Sequence, residues 1–404
     1  MRLVILTLQI SPYHNIRYES AARQLGEVNV ISTQNTGDFE QFVATNLGGY
    51  RVYKLCNGRA EYSRATASGE LASKVRAALG AIMPEAIAVA GWAAPESISA
   101  LIYARELGVP TIVMSESQRD DAPRSIIREQ IKKRVVSQFD AALVGGDTHA
   151  EYISRLGIPN KCIHLGYNVV DNEHFARGAR VARAIEGELR TRLGLPARYV
   201  LASSRFVPKK NLVGLVEGYA MSRNMVDLVP DLVILGDGPE RTAISTAVSR
   251  LGLSGSVHLP GFIAYDGLPA YYGLSEGFVH VSTVEQWGLV INEAMAAALP
   301  VVASRRCGAA RTLLKHGESG FLTDPDPTSI AHSLATLFRL SHSSRIAIGS
   351  CAASAISQWG PDRFGAGLKA AAESAAAVRR RGPISAWDRT ILRHLQGRLI
   401  EHVG

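Results

Sequence analysis

Short apolar runs rich in β-branched residues punctuate the first half of the chain, at positions 2–8, 28–32, 52–55, 86–90, 111–114, 141–144 and 162–165. Between several of them lie longer stretches of helical character, at 68–82, 95–107, 125–139 and 148–156. Strands that are apolar throughout and take turns with helices predict a parallel sheet covered on both faces. A second series obeys the same rule, with runs at 199–206, 231–235, 257–262, 278–282, 301–304 and 320–323. Its helical stretches fall at 268–274, 289–299, 329–340 and 345–358. The pattern is α/β, with two doubly wound domains. Residues 384–403 read as an amphipathic helix, with Trp387, Ile391, Leu392, Leu395 and Leu399 on one face.

Sheets of this kind bind ligands at the carboxyl ends of their strands, so the loops there carry the chemistry. The most informative stretch is 278–299, FVHVSTVEQWGLVINEAMAAAL. A buried strand at 278–282 leads through a polar loop to Gly288, and then to a run without a breaker until Pro300. Outward N–H groups and the positive end of the helix dipole make such a helix start an anion site. Glu285 in the loop and Glu293 in the second turn bracket it. Glu285 alone is also explained as an acid favoured by the helix dipole. Glu293 sits among Val290, Ile291, Ala294 and Met295, which read as buried, so its carboxylate needs a partner. Sugar hydroxyls would supply one. Two acceptor-only groups flanking a phosphate-binding helix suit a diphosphate with hydroxyl-rich groups on both sides, which is a nucleotide sugar.

Other strand ends offer weaker candidates, each with a structural alternative. Tyr13, His14 and Asn15 follow the first strand, either lining a cleft or serving as turn and capping residues. Gly91 and Trp92 end the fourth, where the indole either stacks on a sugar face or fills a packing gap. Arg119, Asp120, Asp121 and Arg124 form a charged cluster after the fifth, as a solvated helix start also would. Gly236 and Gly238 fit close approach to a nucleotide, and equally a tight strand-to-helix turn. Asp324-Pro325-Asp326 reads as a turn rather than a metal site.

Glu285, Gly288, Leu289, Glu293 and Ala294, followed by Gly320-Phe321-Leu322, resemble the signature of the retaining family 4 glycosyltransferases of GT-B fold. Residues 203–211, SSRFVPKKN, are similar to that family's Gly-Arg-x4-Lys element with Ser204 at the glycine, and 257–262 resembles its strand beside the nucleobase. The resemblance implies two doubly wound Rossmann-like domains facing across a cleft, 1–178 for the acceptor and 196–358 for the donor. A linker at 179–195 joins them, and 359–404 crosses back to the first domain. It implies that Arg205 and Lys210 clamp the diphosphate, together with N–H groups at Trp287, Gly288, Leu289 and Val290. Glu285 then takes the hydroxyls of the transferred sugar and Glu293 those of the ribose, with Phe262, Gly236 and Gly238 beside the nucleotide. A sugar would pass with retention to a hydroxyl acceptor, polysaccharide and lipid-linked ones being common in the family, with no metal and no separate cofactor. This chain departs from the family at Glu116, where a sugar-contacting histidine is usual, at Ser204, and at Gly166-Tyr167-Asn168 in the link between domains. Two alternatives stay open: a nucleotide-sugar epimerase or hydrolase using the same fold without an acceptor, and a non-catalytic protein of the same fold, which those departures keep open.

Composition adds a setting. A chain of 404 residues that is 47% apolar suits two globular domains. Residues 1–7 read as a buried strand rather than a signal peptide. The four cysteines are widely dispersed, which points to neither a zinc site nor a disulfide framework and favours a cytoplasmic setting. Of the net charge of +8, half falls in 359–404, where eight Lys and Arg meet four Asp and Glu, densest at Arg379-Arg380-Arg381. No nucleic-acid module accompanies it. It reads either as a solvated basic face or as a peripheral contact with an anionic membrane at the inner face.

Overall fold

The computed structural model describes residues 1–33, 48–378 and 384–397. They form two compact units, one of residues 1–169 with those from Pro361 onward, the other of residues 170–360. In the first, strands β1 (Leu3–Thr7), β2 (Val28–Ser32), β3 (Arg51–Lys54), β4 (Ala86–Ala90), β5 (Thr111–Ser115), β6 (Ala141–Val144) and β7 (Ile163–Leu165) make one sheet. Its order is β3-β2-β1-β4-β5-β6-β7, and every pairing is parallel. The chain starts in the middle and winds first one way, then the other. Side chains of β1, β2, β5 and β6 are buried along their whole length, which is why these strands read as unbroken apolar runs.

The second unit repeats the plan with β8 (Tyr199–Ser203), β9 (Asp231–Leu235), β10 (Val257–Gly261), β11 (Phe278–His280), β12 (Val301–Ser304) and β13 (Gly320–Thr323). Their order is β10-β9-β8-β11-β12-β13. The expected α/β, doubly wound architecture is present in both units.

Local differences from the sequence reading have identifiable causes. The helix expected at 68–82 begins at Glu70, because Gly69 at φ 78° separates it from a further helix, Arg59–Ser68, that the sequence reading missed. Most of the stretch 179–195, expected as a linker, lies in the helices Asn172–Ala184 and Glu186–Leu193 of the second unit. Phe175, Ala179 and Ala182 are buried there at helical spacing. A Cβ on Gly178 would stand 2.4 Å from the Cβ of Pro269, so the absent side chain lets the helix approach Leu268–Gly273.

The helix Pro361–Ala377 belongs to the first unit and packs on Pro12–Leu25 through Tyr18–Phe364 ring contact and Ser20 and Arg23 bonds to Asp362. The C-terminal helix is described over Ala386–Gln396. Leu399 and the arginines at 379–381 lie outside the described residues.

The first helix starts at Pro12, where Ser11 and His14 form a reciprocal cap, so these residues serve as the capping alternative had it. The Ser11 hydroxyl lies 2.8 Å from His14 Nδ1, and the Ser11 N–H donates to the same nitrogen at 3.2 Å. Asn15 is held by Tyr50 at 2.8 Å and Glu19 at 3.0 Å. Burial, aided by the charge of Arg17, lowers the His14 pKa from 6.5 to about 3. Below pH 6.5 the unfolded chain therefore takes a proton that the folded chain refuses, so stability drops as pH falls towards 3. His14→Gln keeps an acceptor for the Ser11 N–H and removes that proton. Urea unfolding followed across this range should show a shallower loss of stability in the variant than in the parent.

Candidate active site

In the second sheet the chain leaves β8 toward one edge and returns to β11 on the other side of it, so the loops after these two strands diverge. Such a topological switch point is where doubly wound sheets open a crevice. Lys210 comes from the first loop, at the end of the short turn Pro208–Lys210, and Glu285 from the second. Asn211, held in the left-handed region at φ 58°, ties the two together. Its Nδ2 donates to Val281 O at 3.1 Å and to Pro325 O at 2.6 Å, while the Thr283 N–H donates to Lys209 O at 2.9 Å.

The result is an ion pair between Lys210 Nζ and Glu285 Oε2, with the side chains 12% and 13% exposed. His280 Nε2 reaches the same carboxylate oxygen at 3.1 Å, and Ser282 Oγ at 3.3 Å. Burial pushes the Glu285 pKa up, but the Lys210 charge and the His280 hydrogen bond outweigh it and hold the carboxyl far below its ordinary value. His280 is pushed down, chiefly by burial and also by the Lys210 charge, against the opposing pull of Glu285. A neutral imidazole facing an acceptor-only group carries its proton on Nε2 and donates it to Glu285. The sequence reading missed His280 and Ser282. Their signal is a polar residue at alternate positions at the end of an otherwise apolar strand, five and three residues before Glu285.

The helix Leu289–Ala296 begins directly beyond, capped by Gly288 at φ 98°, ψ 68° with no side-chain hydrogen bond. The N–H groups of a first turn have no partner inside the helix. The sign of φ requires glycine, and a Cβ there would also stand 3.3 Å from Glu285 Cγ. Leu289 and Val290 are half-buried at this start. Trp287 is turned inward, stacked on Trp359 with centroids 5.9 Å apart, its Nε1 donating to Asn292 Oδ1 at 2.9 Å. Its indole anchors the loop.

Three expected nucleotide contacts have partners within the protein. Glu293 has no exposed surface, and its Oε2 accepts from the Tyr272 hydroxyl at 2.6 Å. The partner that the sequence reading sought in sugar hydroxyls includes a tyrosine of the protein. Gly236, at φ 123°, has the Ser204 carbonyl oxygen 1.8 Å from where its Cβ would stand, and Gly238 has the Phe206 oxygen at 2.7 Å. Both glycines are needed for one loop to lie on another. Phe206 N donates to Asp237 O, and Glu240 N to Phe206 O. Arg205 is half-buried in the loop so fixed, and Phe262 is 38% exposed just past β10.

Glu116 lies past β5 in the first unit, half-buried, and its charge helps raise the pKa of Tyr167, after the larger effect of burial. Arg124 is the hub of the nearby charges. Arg124 bonds the backbone of Gln118 and Arg119 and the side chains of Asp121, Glu129 and Tyr152. Gly91, at φ 79°, donates to Met114 O at 2.8 Å, and Lys132 sits over the Trp92 ring. Asp326 caps the helix Pro327–Arg339 by accepting from Ser329 N, which explains the Asp-Pro-Asp turn.

Residues 188–349 match the family model described as Glycosyl transferases group 1. The chain is similar to alpha-D-kanosaminyltransferase of Streptomyces kanamyceticus, 29% identical over 55% of this chain and 60% of that one. It is also 34% identical, over 38% of this chain and 41% of the other, to the GDP-mannose-dependent alpha-(1-6)-phosphatidylinositol monomannoside mannosyltransferase of Mycobacterium tuberculosis. These matches span less than two thirds of either relative. Among solved structures, Anabaena Alr3699/HepE in complex with UDP-glucose superposes with a TM-score of 0.70 at 19% identity, covering 94% of this chain and all of that one. The trehalose-6-phosphate synthase OtsA superposes at 0.71 and 11% identity, over 92% and 99%. Together with the two sheets, these likenesses establish the GT-B fold class.

The ion pair makes a stability prediction independent of any ligand. Lys210→Met leaves the Glu285 charge buried with only neutral partners, and unfolding free energy should fall by about 3–5 kcal/mol. Adding Glu285→Gln should return most of that loss. A double-mutant cycle in denaturant measures it.

Proposed function

We propose that this chain is a glycosyltransferase that moves a sugar from a nucleoside-diphosphate sugar to a hydroxyl acceptor, with retention of configuration and without a metal. The observation that carries the reading is Lys210 paired with Glu285 at the switch point, beside a helix start capped by no side chain. A fixed cation and backbone N–H groups in one crevice suit the charge that develops on a departing diphosphate. An ionised carboxylate next to them suits the hydroxyls of the sugar being moved. The match of residues 188–349 to the group 1 model supports the same class.

In this reading Arg205, Lys210 and the N–H groups of the first turn at Leu289 and Val290 neutralise the diphosphate as the bond from the anomeric carbon to the phosphate oxygen breaks. Lys210 exchanges part of its contact with Glu285 for a phosphate oxygen. Glu285, held by His280 and Ser282, then turns its acceptors to the sugar. The acceptor hydroxyl attacks from the side the leaving group departs, and its proton passes to the departing phosphate oxygen, so no side chain is assigned as base. Phe262 offers a face to the base, and Glu293 takes the ribose hydroxyls. Glu116 is assigned to the sugar-orienting position that a histidine usually fills. The nucleotide sugar is consumed as substrate, and no other cofactor is invoked. No helix among the described residues is long and apolar enough to cross a membrane.

Relatives named for GDP-mannose and solved complexes with UDP-glucose set the donor panel. Screened by thermal unfolding, the true donor at a hundred times its Kd should add about 2.7 kcal/mol of stability. No stabilisation by any nucleotide or nucleotide sugar would defeat the reading. With that donor and a hydroxyl acceptor, Arg205→Ala and Lys210→Ala should each lower kcat by about two powers of ten, roughly 3 kcal/mol of transition-state stabilisation. Full turnover in both would remove the clamp. Donor consumption at the full rate with no acceptor present would instead indicate an epimerase or hydrolase.

A further inference from the structure

The first unit carries an apolar patch that its own packing leaves uncovered. The helix Ile126–Val136 buries Val135 and Val136 at its far end, yet opens with Ile126 and Ile127 at 84% and 73% exposed. Two isoleucines in an exposed first turn gain nothing from helix propensity, because β-branched side chains are poor helix formers. Beside this helix lies Ala386–Gln396, joined to it through Asp388 and Arg134 at 3.0 Å. That second helix docks through one stripe: Asp388, the buried Leu392, and Gln396, which donates to Ser99 Oγ at 2.9 Å. Trp387 stands beside the stripe, 63% exposed. Its apolar face is wider than the seam it fills.

Helical spacing relates the two helices. Ile127 and Arg134 are seven residues apart, on the same face of their helix, and Arg134 bonds the residue next to Trp387. Around the apolar side chains the exposed charges are mostly basic, with Arg119, Arg128, Lys133, Arg389 and Arg393 exposed. Segments 119–137 and 384–397 hold eight Lys and Arg against four Asp and Glu, and among the acids Asp121, Glu129 and Asp388 are spent on Arg124, Lys132 and Arg134. Exposed isoleucine and tryptophan within a net-basic rim have the chemistry of an interface with anionic phospholipid: apolar groups enter the acyl boundary and cations meet the headgroups.

We propose that Ile126, Ile127 and Trp387, with the basic residues around them, seat the first unit on an anionic membrane surface. This goes beyond the proposed reaction and does not depend on it.

The test uses the full chain, with vesicles of phosphatidylcholine alone or mixed with phosphatidylglycerol, and reads co-sedimentation and tryptophan quenching by iodide. Binding is expected to the anionic vesicles only, to weaken with salt, and to shield one tryptophan from iodide. That tryptophan is Trp387, since Trp287 and Trp359 are 1% and 8% exposed in the fold and Trp92 is partly covered. Ile126→Ser with Ile127→Ser should weaken binding about tenfold or more, and Trp387→Ser should remove the shielding. These positions are exposed, so the variants should keep the parent's circular dichroism and unfolding midpoint. Equal binding to neutral vesicles, or vesicle binding unchanged in the double variant, would overturn the proposal. So would failure to bind vesicles with a concentration-dependent dimer that the double variant abolishes, which would make the patch a contact between copies.

Discussion

The second unit is organised by a buried ion pair between residues 75 positions apart in sequence. A lysine and a carboxylate removed from water are tolerated only when hydrogen bonds satisfy what remains of each. Here His280 and Ser282 bond the carboxylate, while Asn211 and Thr283 fix the two loops that deliver the partners. Even the left-handed Asn211 depends on a neighbour without a side chain, since a Cβ on Gly214 would meet its Oδ1 at 2.4 Å. The pair keeps one cation and one anion together at the switch point of the sheet. That arrangement suits a ligand with both phosphate and hydroxyl groups.

Around the pair, packing accounts for much that looks like ligand chemistry in the sequence. Gly236 and Gly238 let the loop after β9 lie on backbone at Ser204 and Phe206, which fixes Arg205 between them in sequence. Trp287 fills space against Trp359. Glu293 accepts a hydrogen bond from Tyr272, which also meets Phe175 edge to face and so links the helix start to the helix Asn172–Ala184. These residues fix the loops around the pair.

The first unit shows the same economy. Ser11 and His14 close a helix, and Arg124 and its acids close the loop after β5. What is left without internal use lies on the outer helices, where Ile126, Ile127 and Trp387 face solvent among cations.

The strands were legible from sequence because their signal is local. Positions 28–32, 86–90, 231–235, 301–304 and 320–323 are strands to the residue, each an apolar run buried on both faces. The organising stretch at 278–299 also declared its strand, loop and helix, through Gly288 and the unbroken run to Pro300. Break points depending on one residue's φ, such as Gly69 within 68–82, were not legible, since glycine is also tolerated inside helices. The chemistry divided along the same line. Periodicity and spacing determined that a helix start with two nearby acids exists in an α/β chain of two doubly wound units. Only the tertiary structure decided what each acid meets, giving Glu285 to Lys210 and His280, and Glu293 to Tyr272. Strand order brings distant loops side by side, and no periodicity along the chain records which side chains then face one another.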